Sequence, residues 1–488
     1  MLVNYYGNTS SAVRIGTEHT KFFPVPTGVK QGCPLSCVLF SVFISAIVDR
    51  LRNSGLGVWL QGVQICQLWY ADDLALVARS AQELQQLLDI LAVEASKLRL
   101  TVNTDKTKVV VFGARKTSKW QWSIGAIKLE TVSSFKYLGV DLAANGKWQG
   151  MKQRTLLKAA KKAALAFGVG ACGGGLDPDV AQVAWWQLIR PQLEYAAGVW
   201  SDDCEWPEAE RLQSRVGRRI LHCSDSTSSV AVRGELGWWR MKARRDMLCL
   251  LYWQRVVCMR EDRLTKHVYR ATRSMVIAGG DVGHDAGGEL WCVRVRRLMC
   301  ELGLLQYWES EEVPSAAVWC KMVRQKIQER EEGVWKKQAV TQPKLRTYRE
   351  LKSSLCMEKY LLARVDGRRA ITRLRCGTNE LSIESGRWRG LTIADRVCPM
   401  CLGAVEDERH FLLKCPAYAR ERELMFEEVK QVSRGVVNIV AAADDACRMR
   451  LLIGCGCDDE NYAAVYNVVG RFVADSMAYR SSFLSVKL

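Results

Sequence analysis

Two adjacent carboxylates, Asp72 and Asp73, stand in the gap between two short apolar runs, Val63–Tyr70 and Leu74–Ala78. Runs of this kind, rich in β-formers, read as strands. The intervening Ala71-Asp72-Asp73 leaves room only for a tight turn, so the segment reads as a hairpin with acidic side chains at its tip. Asp at a turn can simply satisfy the local backbone. Paired carboxylates can also hold hard divalent cations, as two-metal nucleotide addition requires. The tetrapeptide Tyr70-Ala71-Asp72-Asp73 alone does not choose between these readings.

The surrounding pattern sets the fold class. Residues 1–27 read as a short hairpin, with Val13-Arg14-Ile15 alternating and Phe22-Phe23-Pro24 answering it. After a turn at Thr27-Gly28, Pro34–Arg52 reads as one helix with an apolar face at Leu35, Val38, Leu39, Val42, Ile47 and Leu51. Ser80, three residues before Glu83, is placed to cap an amphipathic helix that runs to about Leu98. Strands follow at Thr107–Phe112 and Phe135–Val140. The expectation is an α+β fold with helices on a small antiparallel sheet. From about Met151 the chain turns to long helices rich in Lys, Arg, Ala and Trp. Gly173-Gly174-Gly175 marks a turn there, and Gly279-Gly280 to Gly287-Gly288 a linker. Beyond Lys344 it is helical again, then compact and Cys/His-bearing at 398–415.

A chain of 488 residues exceeds one ordinary core and should hold two or three domains. Its formal charge of +18 favours a polyanionic partner, because a basic surface attracts and steers nucleic acid. The helix bearing Lys152, Arg154, Lys158, Lys161 and Lys162 is either a solvated face or a phosphate-backbone contact. Trp185, Trp186, Trp238 and Trp239 fit packing between helices better than base stacking. The 19 cysteines are scattered, and no charged-then-apolar leader opens the sequence, so reduced thiols and a nuclear or cytoplasmic location are expected. Val38 to Val48, the longest strongly apolar stretch, is too short to span a bilayer, so no membrane role is expected.

A second constellation is Cys398-Pro399-Met400-Cys401, then His410 and Cys415. This C-x2-C…H-x4-C spacing supplies four ligands for a tetrahedral structural zinc, with Leu402-Gly403-Ala404 reversing the chain between its halves. Chance proximity in a Cys-rich chain is the plainer reading, but His410 is one of only 5 histidines. Cys204, His222 and Cys223 form a looser alternative, and Cys455-Gly456-Cys457 reads as a pair of small buried residues.

Four segments in order resemble the successive palm motifs of LINE-type (non-LTR) retrotransposon reverse transcriptases. They are Gly28-Val29-Lys30-Gln31-Gly32-Cys33-Pro34-Leu35-Ser36, Tyr70-Ala71-Asp72-Asp73, Asn103-Thr104-Asp105-Lys106-Thr107 and Phe135-Lys136-Tyr137-Leu138-Gly139-Val140. Gly386-Arg387-Trp388-Arg389, Glu406-Asp407-Glu408 and the Cys/His cluster resemble that family's zinc-binding C-terminal module. The resemblance implies a partial right-hand palm over 1–142, a mostly helical thumb and connector over 143–343, and a C-terminal helical region over 344–488 with its zinc module at about 396–416. It implies that Asp72 binds magnesium and that Asp73 is its less critical neighbour. Gln31 and Gly32 would lie against nucleotide and template, and Lys106 would approach the triphosphate. Phe135, Tyr137, Leu138 and Gly139 would grip the primer end. RNA and RNA–DNA hybrid are the implied partners.

The same resemblance implies a further essential aspartate on a strand several tens of residues before Gln31-Gly32. Only 30 residues precede Gln31, and the acidic residues ahead of Tyr70 are Glu18 and Asp49. Neither sits in a hydrophobic strand. The expectation is an N-terminally truncated, catalytically incomplete reverse transcriptase that retains nucleic-acid binding. The alternative is a domesticated, non-catalytic RNA- or DNA-binding protein.

Overall fold

The structure is a computed structural model that describes residues 6–7, 9–30, 32–113, 120–168, 177–200, 205–278, 290–362, 367–433, 444–454 and 462–487. Gln31, Cys204, Gly173-Gly174-Gly175, the Gly279 to Gly288 stretch and Cys455-Gly456-Cys457 lie outside the described residues. The chain divides into two compact units, Met1–Lys147 with Met259–Leu290, and Trp148–Cys258 with Trp291–Leu488.

The first unit is α+β. It opens on a nested hairpin, in which β1 (Ser10–Ser11) pairs with β4 (Phe23–Pro24) and β2 (Arg14–Ile15) with β3 (Glu18–His19). The single helix expected at Pro34–Arg52 is two, α1 (Pro34–Phe43) and α2 (Ser45–Arg52), bent by 45° at Ile44. The bend separates the expected apolar face. Ile47 and Leu51 enter the core, whereas Leu35, Val38 and Val42 are exposed and α1 buries no residue. Among the described residues no single helix is long and apolar enough to cross a membrane. Among the described residues only this bent pair passes that test of length and apolarity together.

The run Val63–Tyr70 is also divided, because the chain changes partner at Cys66. β5 (Val58–Leu60) pairs with β6 (Val63–Ile65), and β7 (Gln67–Tyr70) pairs with β8 (Asp73–Leu76). The buried Cys66 is packed so closely that a Cβ on Gly57 would stand 2.7 Å from its own. α3 (Ala81–Lys97) is the centre of this unit. The Ser80 hydroxyl accepts from Glu83 N at 3.2 Å, the cap expected from sequence. Leu87, Leu91 and Ala95, four residues apart, pack with Ile47, Leu51 and Cys66. Leu88, on the neighbouring stripe, meets Val109, Trp122 and Leu129.

The strand expected at Thr107–Phe112 is only β9 (Lys108–Val109). Val109 is the member covered by α3, while Phe112 is exposed. β9 pairs in parallel with β11 (Ile127–Thr131), which pairs antiparallel with β10 (Trp122–Ile124). Where a small antiparallel sheet is expected, the described residues form separate two-stranded ladders and one mixed three-stranded one. The run Phe135–Val140 is a hairpin rather than one strand. β12 (Ser134–Tyr137) turns at Leu138-Gly139 into β13 (Val140–Ala143). Both turn residues are left-handed, at φ 46 and 79, the two-residue geometry that matches strand twist.

The second unit is helical with one extended core. α4 (Gln149–Ala166) buries Met151, Thr155, Ala159 and Ala163 at intervals of four, so its other faces carry the lysines. Trp185 and Trp238 stack with ring centroids 4.9 Å apart inside this core. Trp239 is half-buried and donates to Gln328 Oε1 at 2.5 Å, while Trp186 is exposed. The same cluster continues through Leu361, Ile371, Leu374, Phe411 and Tyr418 to Val469 and Phe472. At its heart Arg375 pairs with Glu235 at 2.8 Å and Glu358 at 3.0 Å, all three without exposed side-chain surface. Lys352 pairs with Glu358, Tyr360 donates to Glu235 at 2.5 Å, and Arg375 also donates to the Ile453 carbonyl. Two cations and two carboxylates balance there, and hydrogen bonds fill their remaining valences, the condition under which buried charge is tolerated.

Candidate functional site

The Asp72 hairpin is positioned from beneath. Gln67 Nε2 donates to the Val48 carbonyl of α2 at 2.7 Å, and Trp69 Nε1 donates to Gln67 Oε1 at 2.7 Å. Tyr70 pairs with Asp73, so the turn is Ala71-Asp72 and Asp73 opens the return strand rather than lying in the turn. Ala71 is held at φ 52, a left-handed conformation that costs a residue with a Cβ about 1–2 kcal/mol. The strain is stored at the tip. Asp72 and Asp73 are both exposed, and among the described residues neither carboxylate has a hydrogen-bond or ion-pair partner. They are free oxygen donors for a hard cation.

The second hairpin leans on the first. Tyr137 Oη donates to the Leu68 carbonyl of β7 at 3.4 Å. Burial, and then the negative charge of Asp73, push the Tyr137 phenol above its ordinary value. The structure therefore brings Tyr137 against the Asp72 hairpin, with Phe135 half-buried two residues before it and Leu138-Gly139 at the turn. No hydrogen bond or ion pair among the described residues joins Gly32 or Lys106 to the hairpin. Gly32 sits at φ 79 with open space where a Cβ would stand, so its backbone conformation alone favours glycine. Lys106 lies in a turn whose amide donates to Asn103 Oδ1 at 3.1 Å. Of the carboxylates ahead of Tyr70, Glu18 is exposed in β3, and Asp49 lies on α2 within 4.0 Å of Arg52.

In the second unit, Cys398, Cys401, His410 and Cys415 converge. One donor atom from each lies within 4.8 Å of all the others. Cys398 Sγ and Cys415 Sγ are 3.8 Å apart, and Cys401 Sγ and His410 Nε2 are 3.4 Å apart. A tetrahedral zinc with Zn–S of about 2.3 Å and Zn–N of about 2.0–2.1 Å separates two sulfurs by about 3.8 Å and a sulfur from a nitrogen by about 3.5 Å. The donor set and its spacing fit that ion.

Local structure explains the convergence. Cys398 N donates to Ala404 O at 2.8 Å, and Leu402 takes a left-handed φ of 58, which closes a small hairpin. Val397 and Val405 bridge its base, and Gly403 N donates to Cys401 Sγ at 3.5 Å. His410 opens a π-turn in which Cys415 N reaches back to His410 O at 2.7 Å, carrying Cys415 to the same side. Burial lowers the His410 imidazole toward the neutral, ligating form and pushes the Cys398 thiol up to about 12.

Sequence reasoning quoted Glu406-Asp407-Glu408 but did not find the partners that fix Glu406 and Glu408. Glu406, inside the module, receives both nitrogens of Arg480 at 2.7 Å and also Ser382 N and Oγ. Glu408 is likewise held by Arg346, Thr347 and Asn379. The available signal was Arg480 itself, which lies in register with the buried positions Val465, Val469, Phe472, Val473 and Ser476 of the final helix (Tyr462–Lys487). Of the looser alternative, the described residues place His222 beside Arg368, Arg369 and Arg373, whose charges add to burial in lowering its imidazole.

Comparison with known proteins bears on the first unit above all. The family described as reverse transcriptase (RNA-dependent DNA polymerase) matches residues 2–142. The chain is 30% identical over 145 residues to the transposon TX1 uncharacterized 149 kDa protein of Xenopus laevis, covering 29% of this chain and 11% of that one. It is 30% identical over 152 residues to the retrovirus-related Pol polyprotein from type-2 retrotransposable element R2DM of Drosophila melanogaster, covering 29% and 14%. A similar polyprotein, from type-1 retrotransposable element R2 of Popillia japonica, is 27% identical over 254 residues, covering 47% and 39%. The chain thus spans well under half the length of each of these relatives. Over residues 2–142 it carries a reverse transcriptase domain of the LINE-type, non-LTR retrotransposon lineage.

Proposed function

We propose that this polypeptide is a nucleic-acid-binding reverse transcriptase relative that does not polymerise DNA on its own. The observation that carries this reading is the isolation of the Asp72–Asp73 pair. Two-metal nucleotidyl transfer needs a carboxylate cluster. Among the described residues, the His, Cys, Asp or Glu side chains that converge in threes or more closely enough to share a metal ion are Cys398, Cys401, His410 and Cys415, and no third such donor joins Asp72 and Asp73. In this reading Asp72, with Asp73, supplies oxygen ligands for Mg2+, which when bound would neutralise charge on the triphosphate. Gln31 and Gly32 would contact nucleotide and template, Lys106 would approach the triphosphate, and Phe135 to Gly139 would hold the primer end.

Binding rests on other residues. Lys158, Lys161 and Lys162 on α4 are exposed and have no acidic partner among the described residues, in a chain of net charge +18. Unpaired cations along a helix suit the phosphates of RNA or an RNA–DNA hybrid. Cys398, Cys401, His410 and Cys415 hold a structural zinc. The set fills all four positions, so its contribution is folding rather than catalysis. The compartment proposed is nuclear or cytoplasmic.

The test is primer extension by the purified 488-residue chain with Mg2+ or Mn2+ on an RNA template. No product above background is expected. Template-dependent synthesis that is abolished by Asp72→Ala would overturn the reading.

A further inference from the structure

Trp388 is 78% exposed, the most exposed tryptophan among the described residues, and it makes no ring contact or hydrogen bond with any of them. It ends the short helix Ser382–Trp388 and begins a loop that leads directly into the first strand of the Cys398 hairpin. An exposed aromatic on a loose tail would mean little. This loop is instead built to hold one shape.

Arg396 reaches across the loop, donating to Ile383 O at 2.8 Å and to Leu391 O at 2.9 and 3.2 Å. Its stem packs so tightly that a Cβ on Gly386 would lie 2.6 Å from Arg396 Cγ. Leu391 N donates to Gly386 O at 3.0 Å, and Thr392 Oγ1 to Asp395 Oδ2 at 2.6 Å. Glu406 N, from the zinc hairpin, donates to Arg396 O at 2.9 Å. The backbone around Trp388 is therefore fixed while its indole, with Leu391 and Ile393, faces solvent.

Charge selects the partner. Arg387 and Arg389 flank the indole. Arg387 is paired with Glu384 at 2.8 Å, whereas Arg389 is exposed with no acidic partner among the described residues. An aromatic face beside an unpaired guanidinium suits an unstacked base and its phosphate, the combination that single-strand-binding surfaces use. A base within a duplex has no free face to offer.

We propose that Trp388 and Arg389 form a stacking site for single-stranded nucleic acid, with the indole taking a base and Arg389 the adjoining phosphate. This rests on the nucleic-acid binding proposed above but assigns it a second place and a different substrate form from the α4 lysines.

The test measures fluorescence anisotropy of the full zinc-loaded chain with a labelled single-stranded oligouridylate and with an RNA–DNA hybrid duplex. Trp388→Ala is expected to weaken single-strand binding roughly 5- to 150-fold and leave duplex binding unchanged. Trp388→Phe should retain most of the affinity, and Arg389→Gln should lower the single-strand salt slope by about 0.7. Zinc content and melting temperature, unchanged in all three, exclude a folding effect. Wild-type single-strand binding that Trp388→Ala leaves intact would overturn the assignment and leave the surface to a protein partner, as would duplex binding with no single-strand binding. Wild-type chain that binds neither form would sink the broader reading with it.

Discussion

Arg480 and Glu406 meet in a two-pronged ion pair, both N–O distances 2.7 Å, with the guanidinium 6% and the carboxylate 1% exposed. The pair joins the last helix of the chain to the hairpin that carries two of the candidate zinc ligands. Arg480→Met removes one charge and strands the other, which in a buried site costs about 3–5 kcal/mol. Thermal denaturation of the variant should show that destabilisation. A melting temperature equal to wild type would mean that Glu406 is adequately solvated without its partner.

Cys415→Ser should reduce bound zinc and increase proteolysis of the C-terminal region while leaving the first unit unchanged. Elemental analysis of the full chain, with limited proteolysis, reads both. The ligands bind as thiolates, and burial has pushed Cys398 up to about 12, so it enters protonated at neutral pH and must release its proton to ligate. Zinc affinity should therefore fall as pH falls. Competition with a chelator across a pH series gives the slope, and a flat profile would contradict thiolate ligation.

Tyr137→Phe deletes the hydroxyl that donates to Leu68 O and little else. The expected destabilisation is about 0.5–1.5 kcal/mol, the net worth of one such bond. Hydrogen exchange should localise it to the Gln67–Leu76 hairpin. Exchange that is unchanged there would show that the two hairpins are held together by other interactions.

Replacing Lys158, Lys161 and Lys162 together by Gln should weaken binding to RNA–DNA hybrid and flatten its salt dependence. For every phosphate that goes unneutralised, the slope of log affinity against log salt should drop by up to about 0.9. Titrations at several salt concentrations measure it directly. An unaltered slope would move the phosphate-binding face off α4.

What the sequence made legible was local. The Ser80 cap depends on a residue three positions away, and the acidic tip is set by two flanking strands. The four Cys/His positions lie within a short segment whose turn residues could be read directly. The features missed all depend on contacts between distant segments. Tyr137 and Leu68 are separated by 69 positions and Glu406 and Arg480 by 74, and neither pair has a local signature. The break at Ile44 was missed for a related reason: helical periodicity runs through it, and only packing decides that Ile47 and Leu51 turn inward while Val38 and Val42 do not. Likewise Val63–Tyr70 reads as one strand because alternation does not record a change of partner at Cys66.

The final helix, Tyr462–Lys487, supplies Val469, Phe472 and Val473 to a core that also contains Met151, Trp185 and Trp238. A stop codon anywhere before it would strip the wall from residues translated far earlier, and would leave Glu406 without its counter-charge. For the second unit, a late nonsense mutation would thus be as damaging as an early one. Selection for a folded second unit would leave its mark on the codons of this helix as much as on those of α4.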